Sequence, residues 1–331
     1  MGKHLILSCR WWVCSLKSYT RRAMDNKNKK FYIILVLSIM FANTAVIFTK
    51  NALSFGAMPI IIGFYRLGFS ALIVVPFALY KEGKHFLTLT TKEKLFSMLA
   101  GIFMALHFLC YFSSLMYTNG FIATITSAVQ PIVIAIASYF LFKETINNKS
   151  ILGMIAAIIG ILFIGIFTYL NSKGNNSFIG FIISMMTALF FCAYLLCSRG
   201  VLKRVKEYTF LAILFTTCAV ILGLGAIITK TPFTGYPAMM YLNCFGLTFF
   251  CTILGHAIMN ICVKYVSATV VSVVSLTGPL FCTFYDFLVF GEKVLPFQII
   301  GGLIILSGVY LFIKSDKKDK EETIEIENLL N

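Results

Sequence analysis

His107 and His256 stand 149 residues apart, and each is followed four positions later by a further polar side chain, Tyr111 and Asn260. Four residues are about one helical turn, so each pair shares a helix face. Imidazoles so placed can donate to a solute carboxylate, or change charge between about pH 5 and 8. The plainer alternative is a hydrogen bond from each ring to a neighbouring backbone. Asn43, Thr44, Gln130 and Tyr194 add groups able to orient a ligand within aromatic walls or, equally, to bond from helix to helix. Two charges complete the set. Arg66, in GFYRLGF, and Asp286, in TGPLFCTFYDFLVFGEK, lie in apolar runs, where an isolated charge costs roughly 2.5–3.5 kcal/mol on insertion scales. An Arg66–Asp286 ion pair is the expectation that relieves both. The functional alternative makes Asp286 a carboxylate that takes up and releases a proton as a gate opens.

Other chemistry lacks its residues. There is no HExxH, no GxSxG and no nucleophile held beside a base by spacing, so an enzyme is not expected. An intramembrane acyl-transfer enzyme is the rival from another class. Of the ten cysteines, eight lie inside apolar runs with no CxxC pair or Cys/His cluster, so they are expected as small packing residues, with no metal and no cofactor.

The elements that must position these groups are set by hydropathy. The chain has 331 residues, 59% hydrophobic and 12% charged, with a mean hydropathy of +0.88, a composition outside the soluble globular range. Apolar runs fall at about 31–51, 58–80, 95–117, 121–142, 150–170, 177–198, 208–228, 241–263, 267–290 and 296–314. Each is long enough to cross a hydrocarbon core of roughly 30 Å. The expected fold is an all-α integral membrane protein with ten transmembrane helices.

The net charge of +15 does not imply nucleic acid, because the basic residues share no single patch. With both termini in the cytoplasm, 23 Lys and Arg residues fall inside, whereas the outer loops hold Lys50, Lys173, Lys230 and Lys293, and Arg66 stays within a span. The positive-inside rule then sets the orientation. Residues 1–30 form a basic cytoplasmic segment whose HLILSCRWWVCSL piece is either interfacial or lies upstream of a true start at Met24. The tail 315–331, with KEETIEIENLLN, reads as a solvated cytoplasmic end.

The run YTNGFIATITSAVQPIVIAIASYFLFKETINNKSILGMIAAIIG from Tyr117 matches YVSATVVSVVSLTGPLFCTFYDFLVFGEKVLPFQIIGGLIILSG from Tyr265 at an offset of 148. Pro131 and Pro279, Glu144 and Glu292, Gly153 and Gly301, and Gly160 and Gly308 all correspond. Phe41, Lys50 and Leu53 match Phe190, Arg199 and Leu202 at 149. The unit is five helices used twice, 31–170 and 177–314, and an odd number inverts the second copy. Inverted repeats are an architecture of secondary transporters. Pro131 and Pro279 are expected as mid-span hinges, Glu144 and Glu292 as interfacial anchors beside Lys143 and Lys293. Ser138 falls opposite Asp286, so the acid is not part of the repeat.

Ten spans in a five-plus-five duplication, the paired proline and glutamate and the arginine of GFYRLGF resemble the EamA-type drug/metabolite transporter superfamily over about residues 31–314. The resemblance implies export or exchange of a small metabolite, often an amino acid, through a cavity between the halves of a multi-pass protein of the cytoplasmic membrane. Small cation-exporting relatives depend on a glutamate in the first helix, which this chain lacks, so multidrug efflux is the alternative. The expected partners are a small-molecule solute and the lipid bilayer, with protons the candidate coupling ion, as a monomer or homodimer. Asn43, His107, Tyr111, Gln130, Tyr194, His256 and Asn260 are the expected solute ligands, and Arg66 and Asp286 the expected coupling or gating pair.

Overall fold

The computed structural model describes residues 31, 33–130, 132–133, 136–137, 148–171, 176–202, 204–262, 277–308, 310–311 and 315. The expected hinge Pro131, Glu144, the segment 1–30 and the tail after Ser315 lie outside the described residues. Asn260 belongs to a helix, but its side chain lies outside them as well.

Among the described residues the chain is helical and has no strand. Helix α1 is Ile33–Ser54, α2 Pro59–Thr88 and α3 Thr91–Ser114. A single turn and a half, α4 at Gly120–Ile125, runs into a tighter 3₁₀ turn at Thr126–Val129. Then come α5 (Asn148–Asn171), α6 (Asn176–Val201) and α7 (Glu207–Ile228). Helix α8 is composite, with α-helical Ala238–Gly246, a π-helical Leu247–Ala257 and α-helical Ile258–Cys262. Two shorter apolar helices, α9 (Gly278–Phe290) and α10 (Pro296–Gly308), follow. Among the described residues seven helices, α1 to α3 and α5 to α8, are long and apolar enough to cross a membrane. Exposed leucines and isoleucines such as Leu72, Leu162, Ile227 and Leu303 are what a lipid-facing surface requires.

Local chemistry explains where the helices start. Pro59 supplies the first residue of α2, a position whose N–H has no intrahelical partner. Thr90 and Glu93 form a reciprocal capping box at the start of α3, with Thr90 N–H donating to Glu93 Oε2 at 2.9 Å and Glu93 N–H to Thr90 Oγ1 at 3.3 Å. Helix α2 outlasts its expected end near residue 80 because its last turns cap another helix. It bends at Glu82, where φ is −132°, and Glu82 Oε2 accepts from the N–H and hydroxyl of Thr209 at 2.9 and 2.8 Å. Lys206 offers α7 no side-chain cap, so α2 supplies one across the chain. In α1 the ladder tightens at Thr44, whose N–H reaches Phe41 O at 3.2 Å. Asn43 Nδ2 and the Thr44 hydroxyl, each donating to a preceding carbonyl at 2.7 Å, compete with the backbone there.

The packing is pairwise. Helix α3 lies along α6, α8 crosses α1, α2 lies along α7, and α4 meets α9. Helices α5 and α10 touch through glycine. A Cβ on Gly160 would come within 3.0 Å of Gly301 O, and one on Gly308 within 2.7 Å of Gly153 O. The four glycines picked out by the internal repeat therefore sit at one antiparallel seam, where small residues let backbones approach. The main core gathers α2, α3, α7 and α8 around Phe108, Phe112, Phe215 and Leu214, and a second cluster joins α4, α5, α6 and Ile305.

Gly160→Val should lower stability by about 1–3 kcal/mol through forced separation of α5 and α10, read as an earlier thermal midpoint in detergent. Gly68→Ala, where a Cβ would meet nothing within 4 Å, should leave that midpoint unchanged or raised.

Candidate functional site

The site is built around one aromatic ring. Phe108 on α3 is 2% exposed, and the Arg66 guanidinium of α2 lies over it, 4.1 Å from its centroid. The rings of His107 and His256 stand 5.0 and 5.7 Å from the same centroid. Cation–π attraction of this kind strengthens when water is excluded.

These side chains line a cavity of about 140 Å³. Of the expected residues it collects Asn43, Arg66, His107, Tyr111, Gln130, His256 and Pro279. Its lining also takes Ala42 and Ile39 from α1, Thr124 and Ser127 from α4 and its 3₁₀ turn, and Thr187 from α6. Most of the wall is apolar, with a few converging polar atoms, the usual character of a small-molecule site. His107 Nδ1 lies 3.0 Å from Thr187 O. A carbonyl only accepts, so Nδ1 carries a proton and Nε2 is left facing the cavity without a hydrogen-bond partner among the described residues. Asn43 Oδ1 accepts from Cys282 Sγ at 3.1 Å, which ties α1 to α9 beside the cavity.

Arg66 is held from α8. Its Nε donates to Thr252 Oγ1 at 3.0 Å, and its carbonyl accepts from the Thr248 hydroxyl at 2.7 Å. Both threonines belong to the π-helical stretch, with Thr252 also donating to Leu247 O five residues back at 3.3 Å. Such widened turns are rare and concentrate at functional sites. Thr248, Thr252 and His256 recur every fourth residue, the first two on Arg66 and the third on the cavity. That spacing was visible in the sequence, but not its partner.

The expected Arg66–Asp286 ion pair does not form. Asp286 on α9 pairs instead with Lys50 of α1, Nζ to Oδ1 at 2.7 Å, and its Oδ2 accepts from Gly120 N–H at 2.7 Å. The reason is lateral: α9 neighbours α1 and α4, whereas α2 packs on α7, α3 and α8. Similar depth alone did not bring the two charges together. Lys50, expected in a loop, has a side chain only 11% exposed and also reaches Glu292 Oε2 at 2.8 Å. Its ammonium lies 4.9 Å from the Phe290 centroid. Gly120 is required here, because a Cβ would meet Asp286 Oδ2 at 2.6 Å and Val46 Cγ2 at 2.7 Å. Beyond this knot opens a second hollow of about 740 Å³, bordered by Lys50, Tyr117, Asn119, Glu292 and Gln298.

Tyr194 does not line the cavity but sits in the main core at 2% exposure, its ring 5.5 Å from Phe191. Pro279 stands in the first turn of α9 as described, Gly278–Phe290, and residues 263–276 before it lie outside the described residues.

The fold and the cavity define a helical multi-pass membrane protein with a small, mostly apolar site, and comparison with known proteins makes its class specific. The model of the EamA-like transporter family matches residues 29–166 and again 178–314, and the chain belongs to that family. A protein of Clostridium kluyveri described as an uncharacterized transporter is 25% identical over 299 residues, covering 88% of this chain and 95% of its own. The uncharacterized transporter YyaM of Bacillus subtilis is 24% identical, covering 86% and 93%. A crystal structure aligning with 87% of this chain and 98% of its own, at 15% identity and a TM-score of 0.62, shares the fold.

Lys50→Met, which strands the Asp286 carboxylate, should cost about 3–5 kcal/mol of stability. Adding Asp286→Asn should recover a large part of the loss. Unfolding of the four members of this double-mutant cycle in detergent measures the coupling, and additive losses would mean the pair does not interact.

Proposed function

We propose that this protein is a secondary transporter that exports or exchanges a small amphipathic metabolite, an amino acid or a related solute, across the cytoplasmic membrane by alternating access. The observation that carries this reading is the composition of the cavity. Its two imidazoles come from α3 and α8, the third helix of each proposed five-helix unit, and they face one common hollow.

The units are residues 31–170 and 177–314, inverted relative to each other, with both termini in the cytoplasm. Packing supports the repeat. Exchanging the units turns the α3–α6 contact into the α8–α1 contact, leaves α2–α7, α4–α9 and α5–α10 unchanged, and turns the Gly160–Gly301 approach into Gly308–Gly153. A pairing scheme that maps onto itself in this way lets the two units swap conformations at similar free energy, which alternating access requires. The charge bias of the loops supports an outward-facing Lys50 end.

On this reading the Lys50–Asp286–Gly120 knot is the closed outer gate, lying between the central cavity and the wider hollow. Asn43, His107, Tyr111, Gln130, His256 and Asn260 contact the solute, Tyr194 backs the wall behind Phe191, and Pro131 and Pro279 mark where the fourth helix of each unit bends as the halves rock. Opening must separate Lys50 from Asp286, and protonation of the carboxylate is the coupling step that would release it.

Metabolites in the medium of cells with and without the protein, compared at two external pH values, test the transport reading. One or a few small amphipathic solutes should accumulate outside only when the protein is present. His107→Ala/His256→Ala should insert normally and lose at least tenfold of that export; unimpaired export removes the central site. Asp286→Asn should flatten the dependence on external pH, and an unchanged profile would refute the coupling role. In a variant retaining Cys282 as its sole cysteine, Lys50→Met should speed labelling by an impermeant thiol reagent added outside, whereas equal rates would place the barrier elsewhere.

A further inference from the structure

The Arg66 guanidinium is 1% exposed and borders the central cavity. Its Nε is used by Thr252, but its Nη2 is buried with no hydrogen-bond partner among the described residues. No carboxylate among the described residues lies within ion-pair distance of it, because Asp286 is taken by Lys50 and Gly120. The Phe108 face offsets part of the burial through its quadrupole but supplies no acceptor. An arginine cannot escape by losing its proton in a protein. A membrane protein that keeps a fixed cation at the wall of a cavity, with a donor unspent, leaves the anion to be brought by whatever fills the cavity.

We propose that Arg66 is the anion-binding residue of this cavity, and that the solute is an organic acid whose carboxylate takes the free Nη2 donor. The proposal rests on the transport reading only for what the cavity is for; the binding chemistry stands on Arg66 itself. The rest of the lining fits the other parts of such a molecule. Ile39, Ala42, Phe108 and Met259 offer an apolar bed, and Asn43 and Gln130 offer amides for a second polar group. An organic cation would meet a buried like charge and is disfavoured by the same argument. The guanidinium fork also distinguishes a carboxylate from a neutral isostere, since charge-assisted hydrogen bonds are about twice as strong as neutral ones.

The full-length protein in lipid nanodiscs is titrated with three probes that share one branched six-carbon chain, 4-methylpentanoate, its isosteric amide 4-methylpentanamide and the amine 4-methylpentylamine, and binding is read from the thermal midpoint. The carboxylate should bind at least tenfold more tightly than the amide, and the amine should give no shift. Arg66→Gln should erase the advantage of the carboxylate. Equal binding of amide or amine by the unaltered protein, or an advantage that survives Arg66→Gln, overturns the proposal. Should Arg66→Gln fail to insert, Arg66→Lys carries the test. An ammonium lacks the fork and should weaken the carboxylate about tenfold while sparing the amide; unchanged carboxylate affinity overturns it. Efflux from proteoliposomes, scored against protein-free vesicles, separates this from the transport reading. A carboxylate bound through Arg66 but never carried defeats transport and keeps the site, whereas carriage of the amine defeats the anion site and keeps transport.

Discussion

A charge held inside the bilayer has no water to turn to, so the protein must answer it from its own side chains or from a ligand. Among the described residues, Lys50, Asp286 and Arg66 face that demand. Lys50 and Asp286 answer each other at 2.7 Å, with Gly120 N–H completing the carboxylate. Arg66 is answered only in part, by one threonine and the aromatic faces of Phe108 and Phe112. The first arrangement is self-sufficient and joins three helices, α1, α4 and α9. The second leaves a donor unspent at a cavity. In the proposed scheme the difference separates a latch from a binding group, since a satisfied ion pair resists opening while an unsatisfied cation favours occupancy.

The helical framework is arranged so that both can exist. Glycine at 120 lets the start of α4 come close enough to donate to Asp286, and glycine at 160, 301 and 308 lets α5 and α10 meet along a seam that needs no polar glue. The π-helical stretch of α8 carries two threonines to Arg66 and one histidine to the cavity. Phe108 then serves as a shared platform for Arg66 and both imidazoles. Tertiary hydrogen bonding extends to the far end of the bundle, where Glu82 caps α7 in place of the cap that Lys206 does not provide. Few of these contacts are strong alone, and each relieves a polar group that lipid would not.

Membership of the EamA-like transporter family accounts for the helical architecture without specifying the solute. In the proposed scheme the solute is specified by the cavity, which combines a fixed cation, two imidazoles with different partners and two amides in a largely apolar wall. His107 is anchored through Thr187 O, whereas His256 packs edge-on against Phe108. Counterpart positions in the two units therefore need not play identical parts. Asp286 makes the same point, since Ser138, which carries no charge, stands at its counterpart position in the sequence.

Hydropathy alone determined that this chain is a helical membrane protein, because a run of about 20 apolar residues has few other stable destinations. The repeat of prolines, glutamates and glycines at one offset was equally legible, and Gly153, Gly160, Gly301 and Gly308 did prove to share one contact. Part of the polar lining is also legible, namely Asn43, His107, Tyr111, Gln130 and His256, since polar residues in lipid-length runs are few and turn inward, whereas Thr124, Thr126, Ser127 and Thr187 carry no such mark. Which charges pair was not legible. Depth along the membrane normal follows from counting residues, but neighbourhood around the bundle does not, so Arg66 was matched with Asp286 when the true partner, Lys50, had been read as part of a loop. Tyr194 shows the same limit, since its polar tip marks it in the sequence and only packing decides that it lies in the main core. The composite α8 and the role of Phe108 were decided by tertiary contact alone, because a widened helical turn and a ring shared by three cationic or imidazole groups leave no periodic trace in one sequence.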